Sequence, residues 1–391
     1  MGLPTNMVRR LLRKVRRGRG VRVLVGTIFV MTITVVITPP SWQLLVLSNT
    51  LKTVNDIRDT ILRTTPLPWQ PEMSKLLHFY RYLNMSQSQQ SMPLPVTLEG
   101  KFLLNNLDLC SSGEESMDSV DVLFMVHTAL LNFRQREALR STVANQSFFY
   151  PFKVRILFLL GLPANDTNGT VQSLIELEHK KYGDTLQGDF IDTYSNLTHK
   201  GVMGYRWITQ YCPHVRLVAK IDDDVFVDTF KLLHRFWPVL FVAKSRAIFC
   251  NVWHNNTMPI LREGKWKITE NVMRNLKYFP WDYCSGMAVF ITGDLIPFLY
   301  RAAFRTPFFW IDDAYLFGML PGVVGNVTYY DIGFSKNLSL NHDVGFKCMK
   351  TQGITCPFVA VGSKLETFPE MWNVTYNIHR GLWKLETKTI S

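Results

Sequence analysis

The chain has 391 residues, of which 47% are apolar and 19% are charged, so it can bury a substantial core and global disorder is excluded. Its formal net charge is +12, but eight of the basic residues lie within residues 1–22, which contain no acidic residue. The other residues carry a net charge of only +4, which removes most of the support for a nucleic-acid-binding function.

An apolar segment follows the basic tail directly. Residues 23–51 contain no charged side chain, and about 20 apolar residues are enough to cross a bilayer. Pro39 and Pro40 end the strongest part of this run, so a cleaved signal peptide and a buried helix remain alternatives to an anchor. Because positive charge flanks only the N-terminal side, we expect a cytosolic tail over 1–22 and a signal-anchor transmembrane helix over 23–47.

The residues beyond this apolar segment have features of a secreted or lumenal chain. All six cysteines follow the segment, an even number that suits disulfide bonds, although the sequence leaves their pairing open. They include no CxxC pair, which argues against a zinc ribbon. Nine Asn-x-Ser/Thr sequons, which are acceptor sites for N-glycosylation, also follow the segment. We therefore expect a glycosylated type II membrane protein.

The composition changes near residue 120. Residues 48–119 are rich in Ser, Gln, Pro and Asn and lack a periodic apolar pattern, which predicts a solvated stem with one short helix near Met73–Tyr82. From residue 120 to residue 391 we expect a catalytic domain, because strand-like apolar runs begin to alternate with helical periodicity. Strands are predicted at 120–128, 154–161 and 215–221, and helices at 134–143, 170–183 and 196–211.

This alternation is typical of an α/β fold with a mainly parallel sheet covered by helices on both faces. In such sheets, ligands bind beyond the carboxyl ends of the strands. The residues that follow the strand at 215–221 are therefore the first place to look for a site.

Three adjacent carboxylates follow that strand. Asp222, Asp223 and Asp224 stand between the apolar strand and the apolar residues 225–227, so they cannot easily turn away into solvent. Carboxylates crowded in this way repel one another and need a compensating cation. Mg²⁺ and Mn²⁺ take oxygen ligands and bridge carboxylates to a diphosphate. We predict a metal and diphosphate site here, rather than a solvated acidic turn.

With these carboxylates, the chain resembles the β-1,3-glycosyltransferases of the galactosyltransferase type, glycosyltransferase family 31. The resemblance spans 120–372. It includes the segments REALRST (136–142), KYGDTLQGDFIDTYSNLTHK (181–200), KIDDDVFVD (220–228), YCSGMAVFITGD (283–294) and WIDDAYLFG (310–318). It implies a Rossmann-like fold of the GT-A type and a Golgi enzyme. Such an enzyme would transfer a hexose or N-acetylhexosamine, with inversion, from a UDP-sugar to the 3-hydroxyl of an acceptor glycan on protein or lipid.

The resemblance also implies roles for individual residues. Asp224 would ligate a Mn²⁺ or Mg²⁺ ion that bridges the diphosphate, while Asp222 and Asp223 would help to hold the uridine and the ribose. Arg140 would lie near the nucleotide. Gly286, in the segment that lines the donor sugar, would allow a close approach.

A second acidic pair, Asp312-Asp313, supplies the other group that inversion requires. A single displacement needs a base on the acceptor side, which takes the proton of the attacking hydroxyl. The resemblance puts this base at the second position, so we predict Asp313 as the base and Asp312 as an orienting or acceptor-binding residue. The pair also suits the start of a helix near Ala314, and the two roles are compatible.

Three differences from the family pattern bear on the activity. Asp312-Asp313-Ala314 stands in place of Glu-Asp-Val, Val143 stands in place of a Trp, and no His precedes Ser363 where the family has a late metal ligand. His342 is a candidate substitute for that ligand. These differences leave one alternative to an inverting enzyme, a catalytically silent lumenal glycan-binding or chaperone-like protein. A retaining transferase of another GT-A family is a third possibility.

Overall fold

A computed structural model describes residues 70–84, 99–111, 119–234, 245–334 and 336–390. By its internal contacts the chain divides into two units, Met1–Gln70 and Pro71–Ser391, and all the described helices and strands lie in the second. The predicted cytosolic tail and transmembrane helix lie outside the described residues. Within those ranges, no helix is both long and apolar enough to cross a membrane.

The strands are short and recur along the whole of this unit. They are β1 Phe102–Leu104, β2 Val122–His127, β3 Val154–Leu162, β4 Thr185–Ile191, β5 Leu217–Asp222, β6 Val225–Val227, β7 Ala247–Cys250, β8 Val252–Trp253, β9 Tyr283–Cys284, β10 Ala288–Thr292, β11 Thr328–Asp331, β12 Leu338–Ser339 and β13 Ala360–Gly362.

The helices flank these strands. They are α1 Met73–Tyr82, α2 Phe133–Ser141, α3 Thr170–Tyr182, α4 Leu197–Tyr211, α5 Thr229–Lys231, α6 Ile296–Ala303, α7 Asp312–Ala314, α8 Leu320–Val324, α9 His342–Gln352 and α10 Phe368–Ile390. A π-helical turn, Tyr315–Met319, joins α7 to α8. Short 3₁₀ turns occur at Gln146–Phe148, Tyr194–Asn196, Gly293–Leu295, Gly353–Thr355 and Leu365–Thr367.

Eight of the described strands form one mixed sheet in the order β1-β4-β3-β2-β5-β10-β7-β11. The neighbours β4, β3, β2 and β5 are parallel, which confirms the mixed α/β class and the alternation predicted for residues 120–221. Strand β10 is antiparallel to both β5 and β7, so only part of the sheet is parallel. The chain between β7 and β10 contains no crossover helix, and antiparallel neighbours do not need one.

The core lies on both faces of the parallel strands. Every residue of β2 is buried, as expected for a central strand with both faces covered. Helix α4 is an internal helix, because nearly all of its side chains are buried. A Cβ atom at Gly201 would collide with Leu316, so this glycine allows α4 to approach the helical segment after α7 closely.

A second, three-stranded sheet has the order β12-β13-β6. Its strand β6 is antiparallel to β13, with Val225 opposite Gly362. Strand β5 belongs to the large sheet and β6 to the small one, so the chain passes from one sheet to the other at Asp223 and Asp224. The acidic cluster therefore forms the turn at the junction of the two sheets.

Disulfide bonds join the six cysteines in three pairs, Cys110–Cys212, Cys250–Cys284 and Cys348–Cys356. Two parts of the segment predicted as stem also pack within the folded unit. The helix expected at Met73–Tyr82 is present as α1, and its Phe79 ring packs edge-on against Trp281 at 5.1 Å. Strand β1 pairs with β4. The exact limits of stem and catalytic domain remain predictions.

Candidate active site

The carboxyl ends of β2 and β5 open into a cleft of about 1230 Å³. The last residues of these two strands, His127 and Asp222, are register partners at its floor. Binding clefts of α/β sheets are expected at such strand ends. All the predicted site residues except Arg140 line this cleft, namely Asp222, Asp223, Asp224, Gly286, Asp312, Asp313 and His342.

Asp223 is held by the loop that follows β2. Its Oδ2 atom accepts hydrogen bonds from the Thr128 hydroxyl at 2.5 Å and from the Asn132 amide at 2.8 Å. The loop is itself fixed by Arg136, which donates to the Ala129 carbonyl at 2.7 Å and forms an ion pair with Glu178 at 2.7 Å. The arginine-rich helix α2 thus acts on the cleft indirectly, by supporting the loop that orients Asp223.

Arg140 is the predicted site residue that the structure does not bring to the cleft. Its guanidinium donates to both carboxylate oxygens of Asp184, at 2.6 and 2.8 Å, and lies 2.8 Å from Glu178. Its cation also stacks 4.0 Å from the centre of the Tyr182 ring. Burial opposes the charge, but Asp184 and Glu178 outweigh it and raise the pKa of Arg140. The side chain is committed to a buried ion-pair network.

Asp224 is exposed to the cleft, and no side chain in the described part of the chain donates a hydrogen bond to its carboxylate. Its backbone is fixed, because the Ser363 amide donates to its carbonyl at 2.7 Å. Partial burial and the charges of Asp222 and Asp223 raise the pKa of the Asp224 carboxyl. A cation would relieve this repulsion, so the carboxylate suits a metal ion.

His342 lies in the same cleft, at the first position of α9. Its Nδ1 atom is buried and has no hydrogen-bond partner among the described residues. No group of three or more His, Cys, Asp or Glu side chains within those residues is arranged to hold a metal.

Asp312 and Asp313 form the first turn of α7, after Ile311 at the N-cap. Asp313 accepts a hydrogen bond from the Gly286 amide at 2.8 Å. Burial, reinforced by the charge of Asp312, raises the pKa of Asp313 to about 8. Burial also raises the pKa of Asp312, to about 6, against the opposing charge of Lys220. Because the two carboxyls interact, they titrate as a pair.

Gly286 permits this arrangement because it lacks a side chain. A Cβ atom at this position would overlap the Oδ1 atom of Asp313. The turn that contains Gly286 is anchored by the Cys250–Cys284 disulfide and by the Ser285 amide, which donates to the Asn251 carbonyl at 2.9 Å. The sequence predicted a close approach at Gly286, and in the structure the group that approaches it is the carboxylate of Asp313.

Sequence analysis missed Lys220, which lies at the floor of the cleft. The side chain is 1% exposed, and its ammonium donates to Asp222 and to the Gly286 carbonyl, both at 2.7 Å. Burial opposes its charge, but Asp222, Asp312 and Asp313 outweigh it and raise the pKa of Lys220. The available signal was a lysine inside an otherwise apolar strand, since a buried ammonium requires anionic partners.

His127 was also missed. Both of its ring nitrogens are buried without a hydrogen-bond partner in the described ranges, and its Nδ1 atom lies 3.7 Å from Asp312 Oδ2. Burial, together with the charges of Lys220 and Lys200, lowers its pKa well below the usual value. His127 is therefore a neutral neighbour of the acidic pair.

Aromatic side chains line the cleft near its mouth. The Trp266 indole N–H donates to the Tyr194 hydroxyl at 2.6 Å, which joins two segments that are remote in sequence. Trp266 is 48% exposed, and the Lys265 ammonium lies 3.9 Å from the centre of the Tyr194 ring. Exposed aromatic faces beside polar groups suit a ligand that is itself part apolar and part polar.

Comparison of the sequence with known proteins identifies a family and several relatives. The galactosyltransferase family model matches residues 134–328, about half of the chain. A lactosylceramide 1,3-N-acetyl-beta-D-glucosaminyltransferase A of Xenopus laevis is 28% identical over 271 residues, which are 66% of this chain and 68% of that protein.

Two further relatives are named for the transfer of other sugars. A UDP-GalNAc:beta-1,3-N-acetylgalactosaminyltransferase 1 of Mus spicilegus is 28% identical over 56% of this chain and 63% of its own length. A beta-1,3-galactosyltransferase 1 of Mus musculus is 27% identical over 60% of this chain and 68% of its own length. Among solved structures, the apo structure of the bifunctional glycosyltransferase WbbM aligns with a TM-score of 0.34 and 13% identity, over 68% of this chain and 52% of that one.

Proposed function

This chain belongs to the galactosyltransferase family and is a hexosyltransferase, and we propose that it is an inverting β-1,3-glycosyltransferase. It transfers galactose or an N-acetylhexosamine from a UDP-sugar to the 3-hydroxyl of an acceptor glycan. The main support for this proposal is that the acidic turn at 222–224 and the carboxyl pair at 312–313 line the same cleft. The first suits a nucleotide diphosphate with its metal, and the second suits proton transfer.

The donor side of the proposed site is the acidic turn. Asp222 and Asp223 hold the uridine and ribose, and the hydrogen bonds that fix Asp223 support a preformed site. Asp224 and His342 would hold Mn²⁺ or Mg²⁺, which neutralises charge on the departing diphosphate when bound. Gly286 borders the donor sugar, beside the base.

The acceptor side is Asp313. The acceptor hydroxyl oxygen attacks the anomeric carbon, its proton passes to the Asp313 carboxylate, and the bond from that carbon to the UDP oxygen breaks with both electrons leaving on UDP. The Gly286 amide holds one carboxylate oxygen, which leaves the other for the hydroxyl. A raised pKa makes Asp313 a stronger base than an ordinary aspartate, which supports this role.

The aromatic side chains at the mouth suit an acceptor sugar. A pyranose ring has apolar C–H faces, which pack on an indole, and hydroxyls that take hydrogen bonds from nearby polar groups. In the proposed complex, Trp266 and Tyr194 pack against the acceptor. The relative named for lactosylceramide supports the inclusion of glycolipids, beside glycoproteins, among the acceptors to be tested.

We place the enzyme in the Golgi membrane as a single-pass type II protein. The tail at 1–22, the anchor at 23–47 and the stem at 48–119 would present the catalytic domain to the lumen. The three disulfides support an oxidising compartment. Carbonate extraction tests the anchor: the expressed chain should stay in the membrane pellet, and release of a shortened soluble form would indicate signal cleavage instead.

The activity is tested with the purified full chain in detergent. UDP-galactose, UDP-GlcNAc and UDP-GalNAc are each offered with a panel of β-linked acceptors, with Mn²⁺ and with EDTA. The proposal expects Mn²⁺-dependent formation of a β-linkage to a 3-hydroxyl, identified by NMR. An α-linked product would support a retaining mechanism, and folded, UDP-binding protein that is silent with every donor would support a glycan-binding role.

A further inference from the structure

A chain of hydrogen bonds joins the acidic turn to the carboxyl pair through Lys220. The Lys220 ammonium donates to Asp222 Oδ1 at 2.7 Å and to the Gly286 carbonyl at 2.7 Å. The amide of the same Gly286 donates to Asp313 Oδ2 at 2.8 Å. The two ends of this chain are the donor side and the acceptor side of the cleft.

We propose that Lys220 is a positioning residue for Asp313. It holds the Gly286 backbone, which in turn holds the Asp313 carboxylate, and its positive charge keeps that carboxylate ionised for proton transfer. The inference rests on the proposed function, in which Asp313 is the base. Lys220 does not touch the reacting atoms in this account. It acts on Asp313 through the backbone of Gly286 and through its charge.

The backbone on both sides of Gly286 is held in place. The preceding residues are tied by the Cys250–Cys284 disulfide and by the Ser285 amide. The following residues enter β10, where Ala288 is opposite Ile221 of β5. Lys220 adds a hydrogen bond to the Gly286 carbonyl itself, at 2.7 Å.

The charges around Asp313 give Lys220 its second effect. The charges of Asp312 and Asp222 oppose a negative charge on Asp313. Tyr283 is also close to Asp313, and burial together with the charge of Asp313 raises the pKa of the Tyr283 hydroxyl. His127, behind Asp312, stays neutral and cannot compensate. Lys220 opposes these groups, because its positive charge favours the ionised form of Asp313.

The test compares neutral and charged replacements of Lys220 in the full chain. Lys220→Met removes the charge and keeps the length, Lys220→Gln removes the charge but keeps a hydrogen-bond donor, and Lys220→Arg keeps the charge. The pH profile of kcat/KM for transfer is measured for each variant, with UDP binding and thermal unfolding as accompanying readouts.

Lys231 offers a matched control. It is also buried, at 3% exposure, and its ammonium also contacts one carbonyl, that of Phe358 at 2.9 Å, and one carboxylate, that of Asp228 at 3.3 Å. It does not line the cleft. Lys231→Met should lower the unfolding temperature without moving the pH profile.

The acid limb of the profile is the fall of kcat/KM at low pH, where the base becomes protonated. We expect both neutral Lys220 variants to move the midpoint of this limb to a pH about one to three units higher, as loss of an adjacent opposite charge predicts. Lys220→Arg should leave the limb near its wild-type position. If Lys220→Met does not fold, Lys220→Gln gives the same readout.

Two results would overturn the inference. One is an unshifted limb in the folded neutral variants, with activity lowered equally at every pH, and the other is the same shift in Lys231→Met. The absence of transfer by the wild-type chain would overturn the proposed function together with this inference. Transfer by the wild type with unshifted neutral variants would overturn this inference alone.

Discussion

The Gly286 amide donates a hydrogen bond to one oxygen of the Asp313 carboxylate, at 2.8 Å, and the other oxygen occupies the space that a Cβ atom on Gly286 would take. The Asp313 carboxylate therefore packs directly against the Gly286 backbone. The Asp313 side chain is thus held by the backbone of the turn at Gly286.

The first prediction concerns Gly286→Ala. The added methyl group must displace the Asp313 carboxylate, and a misplacement of about 1 Å can reduce a rate about 100-fold. We expect kcat to fall by that order while UDP binding changes little, as measured by transfer kinetics and calorimetry.

Gly204→Ala is the control for this variant, because its Cβ would meet Met125 in the core, away from the cleft. It should lower stability without a comparable loss of kcat. Wild-type kcat in Gly286→Ala would show that the carboxylate need not occupy the position described.

The second prediction concerns pH. A base acts only in its deprotonated form, and burial with the charge of Asp312 raises the pKa of Asp313 to about 8. Activity should therefore rise as pH increases through that region and be lost as pH falls below it. The profile of kcat/KM, with thermal unfolding followed at each pH, checks this. An acid limb near the ordinary value for an aspartate, with the protein folded throughout, would contradict the assignment.

The parallel half of the fold was predictable from the sequence because its signals are local. Helix α3, for example, ends at Gly183, which adopts the left-handed conformation that a glycine allows after a helix. The antiparallel strands β7 and β10 follow no such alternation, so their pairing could not be inferred. The acidic residues of the site were found because they follow a buried strand and match a family motif.

Two residues show which contacts the sequence could not reveal. Arg140 was expected beside the nucleotide, yet it pairs with Asp184, 44 residues away, and such a partner is not visible in sequence. Lys220 was passed over because it stands in an apolar run, and only the fold brings Gly286 and the carboxylates around it. In both cases the deciding contact is long-range.

The third prediction concerns the metal ligands. Asp224→Asn should abolish Mn²⁺-dependent binding of UDP, because the carboxylate charge is removed. His342→Ala should weaken Mn²⁺ affinity by about tenfold or more, by analogy with the loss of other metal-site contacts. Calorimetry with Mn²⁺ and UDP measures both effects.

Asp343→Asn is the matched control for the metal site, since Asp343 lines the same cleft next to His342. It should leave Mn²⁺ affinity close to that of the wild type. Unchanged Mn²⁺ affinity in His342→Ala would exclude His342 as a metal ligand. Of the two proposed protein ligands, only Asp224 would then remain.

The fourth prediction concerns the acceptor. Loss of one aromatic contact is worth about 1.4 kcal/mol, or about tenfold in affinity. Trp266→Ala should therefore raise the KM for acceptor by about tenfold and leave the KM for the UDP-sugar nearly unchanged. Tyr278→Ala is the control, because Tyr278 is also exposed but does not line the cleft. An equal effect of the two variants on acceptor KM would contradict a specific role for Trp266.

The most direct test of the account is transfer by Asp313→Asn. The asparagine can still accept the hydrogen bond from Gly286, but it cannot take a proton from the acceptor hydroxyl. The account predicts that kcat falls by about 100- to 10,000-fold, while Mn²⁺-dependent UDP binding and the unfolding temperature stay near wild-type values. Transfer at close to the wild-type rate by this folded, UDP-binding variant would show that Asp313 is not the base.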